Sequence, residues 1–159
     1  MNYRITGTGS CIPDITKKNS DFLQNKFLDR DGSDIQSSNP EIIEKFKSIT
    51  GITERRYASD EMNCSDLATD AARSAIVDSK IDQETLDYII VAHNAGDISC
   101  NSGQVDTLPS IASRVKAKLK IKNPNCVAYD IICGCPGWVE GMIQAKSFIS
   151  SGMASKCLI

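Results

Sequence analysis

The protein has 159 residues, 41% of them hydrophobic and 24% charged, with a formal net charge of -2. That length encloses a core and the composition is that of an ordinary globular domain, while the charge balance argues against a nucleic-acid partner or a strongly acidic protein. No apolar run is long enough to span a bilayer, so membrane insertion is not expected.

Seven cysteines, an odd number without framework spacing, read as reduced thiols in a cytoplasmic protein. Residues 1–4 lead straight into strand-like sequence, so a secretory leader is not expected. Residues 3–10, YRITGTGS, alternate and then turn glycine-rich, as a first strand does. Gly7 and Gly9 suggest a phosphate loop, but no helix opening on Gly-Lys-Ser/Thr follows, so close packing at a strand end is preferred. Asn19–Leu28 reads as a short helix with Phe22, Leu23 and Phe27 inward. Asp29–Pro40 reads as a polar surface loop. Glu41–Ile49 makes a second helix, stopped by Thr50-Gly51. Arg55 and Arg56 follow, a solvated face or an ion-pair anchor, with phosphate binding as the alternative.

Ser65–Lys80 is a clear amphipathic helix, with Ser65 as N-cap and an alanine-rich face (Ala68, Ala71, Ala72, Ala75) that predicts close packing against a sheet. Leu86–Ala92 reads as a continuous apolar strand. The loop after it, His93–Asp106, carries the only histidine at a strand end that lines the site in many open α/β sheets. No acidic orienter is identifiable for His93, which therefore reads as structural or exposed. Thr107–Lys120 is the next helix, with Pro109 in its first turn and lysines near its end complementing the dipole.

Asn125–Ile149 organises the rest. Cys126–Ile132 has the pattern of a strand covered on both faces, and from Pro136 the period becomes helical. Pro136 suits the first helical position, which puts Cys135 at the helix start, where the macrodipole and unpaired N–H groups favour a thiolate. Cys135 is a candidate nucleophile; the alternative is a small buried hydrophobe. A metal site at Cys133-x-Cys135 lacks a second ligand pair, and no metal is expected. Gly137, Gly141 and Ala145 form a small-residue line, with Val139, Met142, Ile143, Phe148 and Ile149 supplying bulk around them. A helix so apolar needs cover from both sides. Lys156–Ile159 starts a further strand, and the expectation is one half of a two-part core.

TGTGSCIP, ITGITERRYAS, CSDLATDAARSAI, LDYIIVA and AYDIICGCPGWVEGM together resemble the N-terminal half of the β-ketoacyl-acyl-carrier-protein synthase III family, in the thiolase-like superfamily, across essentially all of residues 1–159. The resemblance implies an α/β thiolase-like fold, one half of a duplicated architecture with a mixed five-stranded sheet and a nucleophile helix buried between halves. In the family a five-residue step from the aspartate leads to the nucleophile; here Asp130 leads to Cys135, so Cys133 is only a neighbour. The implied reaction is a decarboxylating condensation. An acyl thioester acylates the cysteine, and malonyl on acyl carrier protein loses carbon dioxide and attacks, with the Cys135 N–H in the oxyanion hole.

No tightly bound cofactor is implied; acyl-CoA or acyl-carrier-protein thioesters are the substrates, acyl carrier protein the partner and a homodimer the assembly. The family's histidine and asparagine belong to the second half, so residues 1–159 alone are expected to be inactive. Arg55 and Arg56 are weak candidates for ligand binding. Lys45 and Ile49 stand where CoA-using members carry an adenine-sandwiching tryptophan and arginine, which leaves room for a non-CoA donor in a specialised pathway. Trp138 takes the family's aromatic position, where packing between halves is expected. Two other readings are a non-decarboxylating acyltransferase of the same fold and a non-catalytic partner subunit.

Overall fold

A computed structural model of the protein describes residues 3–159. Met1 and Asn2, at the head of the expected first strand, lie outside the described residues. The chain forms two compact units, Pro13–Ser59 and a larger one built from the stretch ending at Ile12 together with Asp60–Ile159.

In the smaller unit, β1 (Ile15–Lys18) pairs antiparallel with β2 (Glu54–Tyr57), and α1 (Asn39–Thr50) lies between them in sequence. β1 was not expected; its residues are all exposed, so no burial alternation marks it, and pairing with β2 alone defines it. The helix expected over Asn19–Leu28 is one turn of 3-10 helix, Asn19–Phe22, because Leu28 bridges to Asp34 and, across a tight turn, the Asp29 N–H donates to the Ser33 carbonyl while its carbonyl accepts from the Gly32 N–H. α1 opens with the Ser38 N–H donating to the Glu41 carboxylate at 2.9 Å, which holds that carboxyl below its ordinary range. It ends at Gly51, whose φ of 67° suits glycine. Phe27 and Phe46 meet edge to face, 5.6 Å apart.

The larger unit has a parallel sheet with helices on both faces. α2 (Cys64–Ser79) leads to β3 (Tyr88–His93), then to a small antiparallel hairpin of β4 (Asp97–Ile98) and β5 (Val105–Asp106). α3 (Ile111–Lys118), β6 (Val127–Ile132), α4 (Gly137–Ser151) and β7 (Cys157–Leu158) follow. The sheet order is β6-β3-β7, both neighbours parallel to β3. The fold is α/β in class, but among the described residues its central sheet has three strands, all parallel, rather than the mixed five the resemblance implies. Residues 3–14 join no ladder, so the first strand expected over residues 3–10 does not form. β6 is an edge strand and half-exposed, not covered on both faces.

Strand alternation assigns each face its helices. Ile89, with partly buried Val91 and Ala128, packs into a core with Ala72, Ile111, Ala112, Val115 and Leu119 of the α2 and α3 layer. On the opposite face Tyr88 stacks on Phe148 of α4 at 4.6 Å, and the Tyr129 hydroxyl donates to Gln144. The alanine face of α2 also receives residues 7–9. A Cβ on Gly7 would strike the backbone of Ala75 and Ser79, and one on Gly9 the backbone of Ala71 and Ala75. These glycines therefore serve close packing. The N-cap of α2 is Asn63, whose N–H donates to Asp66, and not Ser65, whose N–H is held by the buried Asp97 at 2.8 Å. The turn before β7 is fixed by Asp87, which accepts from the N–H groups of Ser155 and Lys156.

Candidate active site

β3 and β6 run parallel, with register pairs from Tyr88↔Val127 to His93↔Ile132. Both end at one edge of the sheet, the edge where open α/β folds gather their reactive groups. One residue beyond the last pair, the Cys133 N–H donates to the His93 carbonyl at 3.1 Å, so the ladder continues into the loop. The chain then turns through Gly134-Cys135-Pro136, closed by the Gly137 N–H donating to the Gly134 carbonyl at 2.9 Å. Pro136 is the N-cap and Gly137 the first helical residue, one position later than the sequence spacing suggests. Cys135 is exposed and Cys133 half-buried.

α4 sits on the sheet through the expected small-residue line: Gly137, Gly141 and Ala145 are its buried positions. A Cβ at Gly137 would press on that of Ala92. The helix is otherwise not buried in this chain. Trp138, Val139 and Ile143 are 56%, 51% and 50% exposed, so the cover expected around the nucleophile helix is present on one side only. A cavity of about 550 Å³ lies among residues 3–9, α2, β3 and α4, and Trp138 and Met142 line it, but Cys135 does not.

Four of the other cysteines have thiols pushed up from their ordinary value. Burial pushes the Cys64 and Cys126 thiols up, and that of Cys157 up to about 11. Cys100 is exposed, but a hydrogen bond to Asp60 raises it as well, against thiolate formation.

His93 does have an acidic partner, contrary to the sequence reading. Its Nε2 lies 2.9 Å from Asp130 Oδ2, and its Nδ1 accepts from the Gly96 N–H at 2.9 Å. Because Nδ1 is an acceptor, Nε2 carries the proton and donates to Asp130. The Asp130 carboxylate also accepts from the first two N–H groups of α3, Ile111 at 2.7 Å and Ala112 at 2.8 Å. Of the two readings of His93, structural or exposed, its burial removes the second, and its acidic partner is now identified. The signal available was a lone aspartate in an otherwise apolar strand; its pairing with a histidine 37 positions away follows only from the parallel register.

Next to this pair, Arg114 donates to Asp97 at 2.9 Å and to Asp106 at 2.7 Å, and to the carbonyls of Leu108 and Pro109, tying the hairpin to α3. Arg114 holds the Asp106 carboxyl below its usual range. In the smaller unit, Arg55 donates to Asn19 Oδ1 at 2.8 Å and lies over the Phe22 ring, so it is an internal anchor. Arg56, Lys45 and Ile49 are exposed. Among the described residues no three His, Cys, Asp or Glu side chains gather as a metal site. No helix among them is long and apolar enough to cross a membrane.

No protein-family model matches the chain. Individual proteins do. It is 35% identical over 160 residues to β-ketoacyl-[acyl-carrier-protein] synthase III of Neisseria gonorrhoeae, covering all of this chain and 43% of that protein. It is 33% identical over 156 residues to the protein of the same name from Ehrlichia ruminantium, covering 98% and 42%. Among solved structures, 3-oxoacyl-[acyl-carrier-protein] synthase III of Aquifex aeolicus superposes with a TM-score of 0.73 at 30% identity, over 98% of this chain and 43% of that one. An OleA variant of Xanthomonas campestris gives 0.76 at 25% identity, over 97% and 43%. The chain thus spans less than half the length of the relatives it matches.

Proposed function

We propose that this chain, related over its whole length to β-ketoacyl-acyl-carrier-protein synthase III, is the N-terminal, nucleophile-bearing half of a condensing enzyme. The observation that supports this best is Cys135: an exposed thiol in the turn between β6 and α4, at the C-terminal edge of a parallel sheet, in a chain that aligns end to end with enzymes of that name. In the proposed reaction the Cys135 sulfur attacks the carbonyl of an acyl thioester, the thiol of the donor leaves with a proton, and an acyl-cysteine results. Malonyl on acyl carrier protein then loses carbon dioxide. Its carbanion attacks the acyl carbonyl, and the Cys135 sulfur leaves as the new carbon–carbon bond closes. The Cys135 N–H supplies one donor to the oxyanion; the remaining donors and the proton-handling groups belong to the second half of the full-length protein.

That second half also covers the outer face of α4, where Trp138, Val139 and Ile143 are exposed here. A homodimer in the cytoplasm is the assembly expected from the resemblance. The donor is a second question: Lys45 and Ile49, exposed one turn apart on α1, replace the aromatic and arginine pair of CoA-using members and favour a donor other than CoA, such as an acyl-carrier-protein thioester.

The test is carbon dioxide release and product formation from malonyl-acyl-carrier-protein by the full-length protein with acyl-CoA and acyl-carrier-protein donors in parallel. Activity lost in Cys135→Ala, together with a mass increment of the acyl group on the Cys135 peptide, is the expected result. Acyl transfer without carbon dioxide release would favour the acyltransferase reading instead. Residues 1–159 alone are expected to show no turnover, and measurable condensation by them would overturn the assignment of the missing groups to a second half.

A further inference from the structure

The Cys135 turn has little support of its own. Gly134 faces open space, so that a Cβ placed there meets nothing within 4 Å, and Cys135 and Pro136 are exposed. Apart from the Gly137 N–H donating to the Gly134 carbonyl within it, the turn is fastened at its two ends, and both lead to adjacent residues of β3. At one end the Cys133 N–H donates to the His93 carbonyl at 3.1 Å; at the other, Gly137 packs directly on Ala92. The place of the Cys135 sulfur is therefore set by how firmly the last residue of β3 is fixed.

His93 is fixed on both sides of its ring. Nε2–H donates to Asp130, which is itself tied to the N terminus of α3, and Nδ1 accepts from Gly96 in the turn that leaves β3. The side chain is 4% exposed and that of Asp130 11%. In so dry a setting each of these hydrogen bonds resists exchange with water, and losing one partner leaves another group unsatisfied. Both ring nitrogens are occupied, so the imidazole has no free lone pair with which to take a proton from substrate or thiol. Its chemistry is that of a clamp rather than a base.

We infer that His93 is a positioning residue for the nucleophile: through Asp130 and Gly96 it locks the end of β3, and through its own carbonyl it holds the turn that presents Cys135. The inference rests on Cys135 being the nucleophile. A clamp of this kind sets the angle of attack without contributing to substrate affinity, so its loss falls on kcat and not on KM. Glutamine is the conservative replacement, since its amide carries a donor and an acceptor at a spacing close to that of the two ring nitrogens.

The experiment uses the full-length protein and its His93→Ala, His93→Asn and His93→Gln variants. Iodoacetamide labelling is followed peptide by peptide, with exposed Cys100 as the internal reference, alongside steady-state condensation kinetics and thermal melting. In the wild type Cys135 labels faster than Cys100; equal labelling there would remove the nucleophile reading and this inference with it. With the wild-type preference present, His93→Ala is expected to lower kcat by about tenfold or more while KM stays within about twofold, and to erode the Cys135 preference. His93→Gln is expected to restore most of both. His93→Asn, which keeps a polar group but reaches one partner only, falls between them and serves if the alanine variant does not fold. A folded His93→Ala or His93→Asn protein that melts lower yet keeps the wild-type kcat and labelling preference would overturn the positioning role and leave the nucleophile reading intact. So would a glutamine variant no better than alanine.

Discussion

The two faces of the parallel sheet are built from similar strands and finished differently. On the α2 and α3 side, Ile89, Ile111, Ala112 and Val115 are at most 1% exposed, and the polar groups at the rim are paired: Asp130 with His93 and the α3 N terminus, Lys118 with Ser65 and Asp66. On the α4 side, Ile90 is fully buried beneath the helix, yet the outward half of α4 presents Trp138, Val139 and Ile143 to solvent. One face is a finished core; the other is a packed layer whose outer surface exposes Trp138, Val139 and Ile143 beside Glu140, Lys146 and Ser147. Large apolar side chains exposed along one helix suit a surface that another body covers, and the candidate nucleophile Cys135 lies just before that helix. The contrast separates what holds this chain together from the surface it leaves for the second half proposed above.

That contrast is open to test by substitution. Asp130→Ala removes the acceptor for two helix N–H groups and for His93, and is expected to lower stability by about 3–5 kcal/mol in urea denaturation. A loss below 1 kcal/mol would show the finished face is not organised by Asp130. Ile89→Ala, at 1% exposure in the closed core, is expected to lose about 2–5 kcal/mol by the same measurement. The Asp66–Lys118 pair gives a smaller, pH-dependent term. The hydrogen bond from Lys118 lowers the Asp66 carboxyl below its unfolded value, with the Asn63 N–H adding to the effect. A lowered folded value means stability present above the unfolded value and lost as pH falls through the folded one. Asp66→Asn should therefore flatten the stability profile below about pH 4, by under about 1 kcal/mol because the pair is a third or more exposed. Val139→Ala should be smallest, within about 0.5 kcal/mol for residues 1–159. In the full-length protein it should exceed about 1 kcal/mol if the outer face of α4 is covered there. Equal small losses in both would count against that cover.

Much of this was legible in the amino-acid order because it depends on neighbours in sequence. α3 opens at Ile111 behind a Ser110 N-cap, later than read, and leaves Pro109 outside the helix. The helical period of α2, the Gly51 stop and the Gly137–Gly141–Ala145 line are local patterns that the structure uses as read. So is the strand–turn–helix around Cys135. Where local reading failed, a distant partner decided the outcome. β1 exists because β2 pairs with it, and the N-cap of α2 shifted because Asp97 claims the Ser65 N–H from 32 residues away.

The sequence by itself determined the four longer helices to within a few residues at their ends, the apolar strand β3, and that Cys135 stands where a strand turns into a helix, because these follow from the spacing of side chains along one stretch of backbone. Only the tertiary structure decided that His93 and Asp130 meet, that both ends of the Cys135 turn fasten to β3, and that α4 is covered on one side. Parallel register brings together residues 37 positions apart, and no pattern within a single segment carries that information.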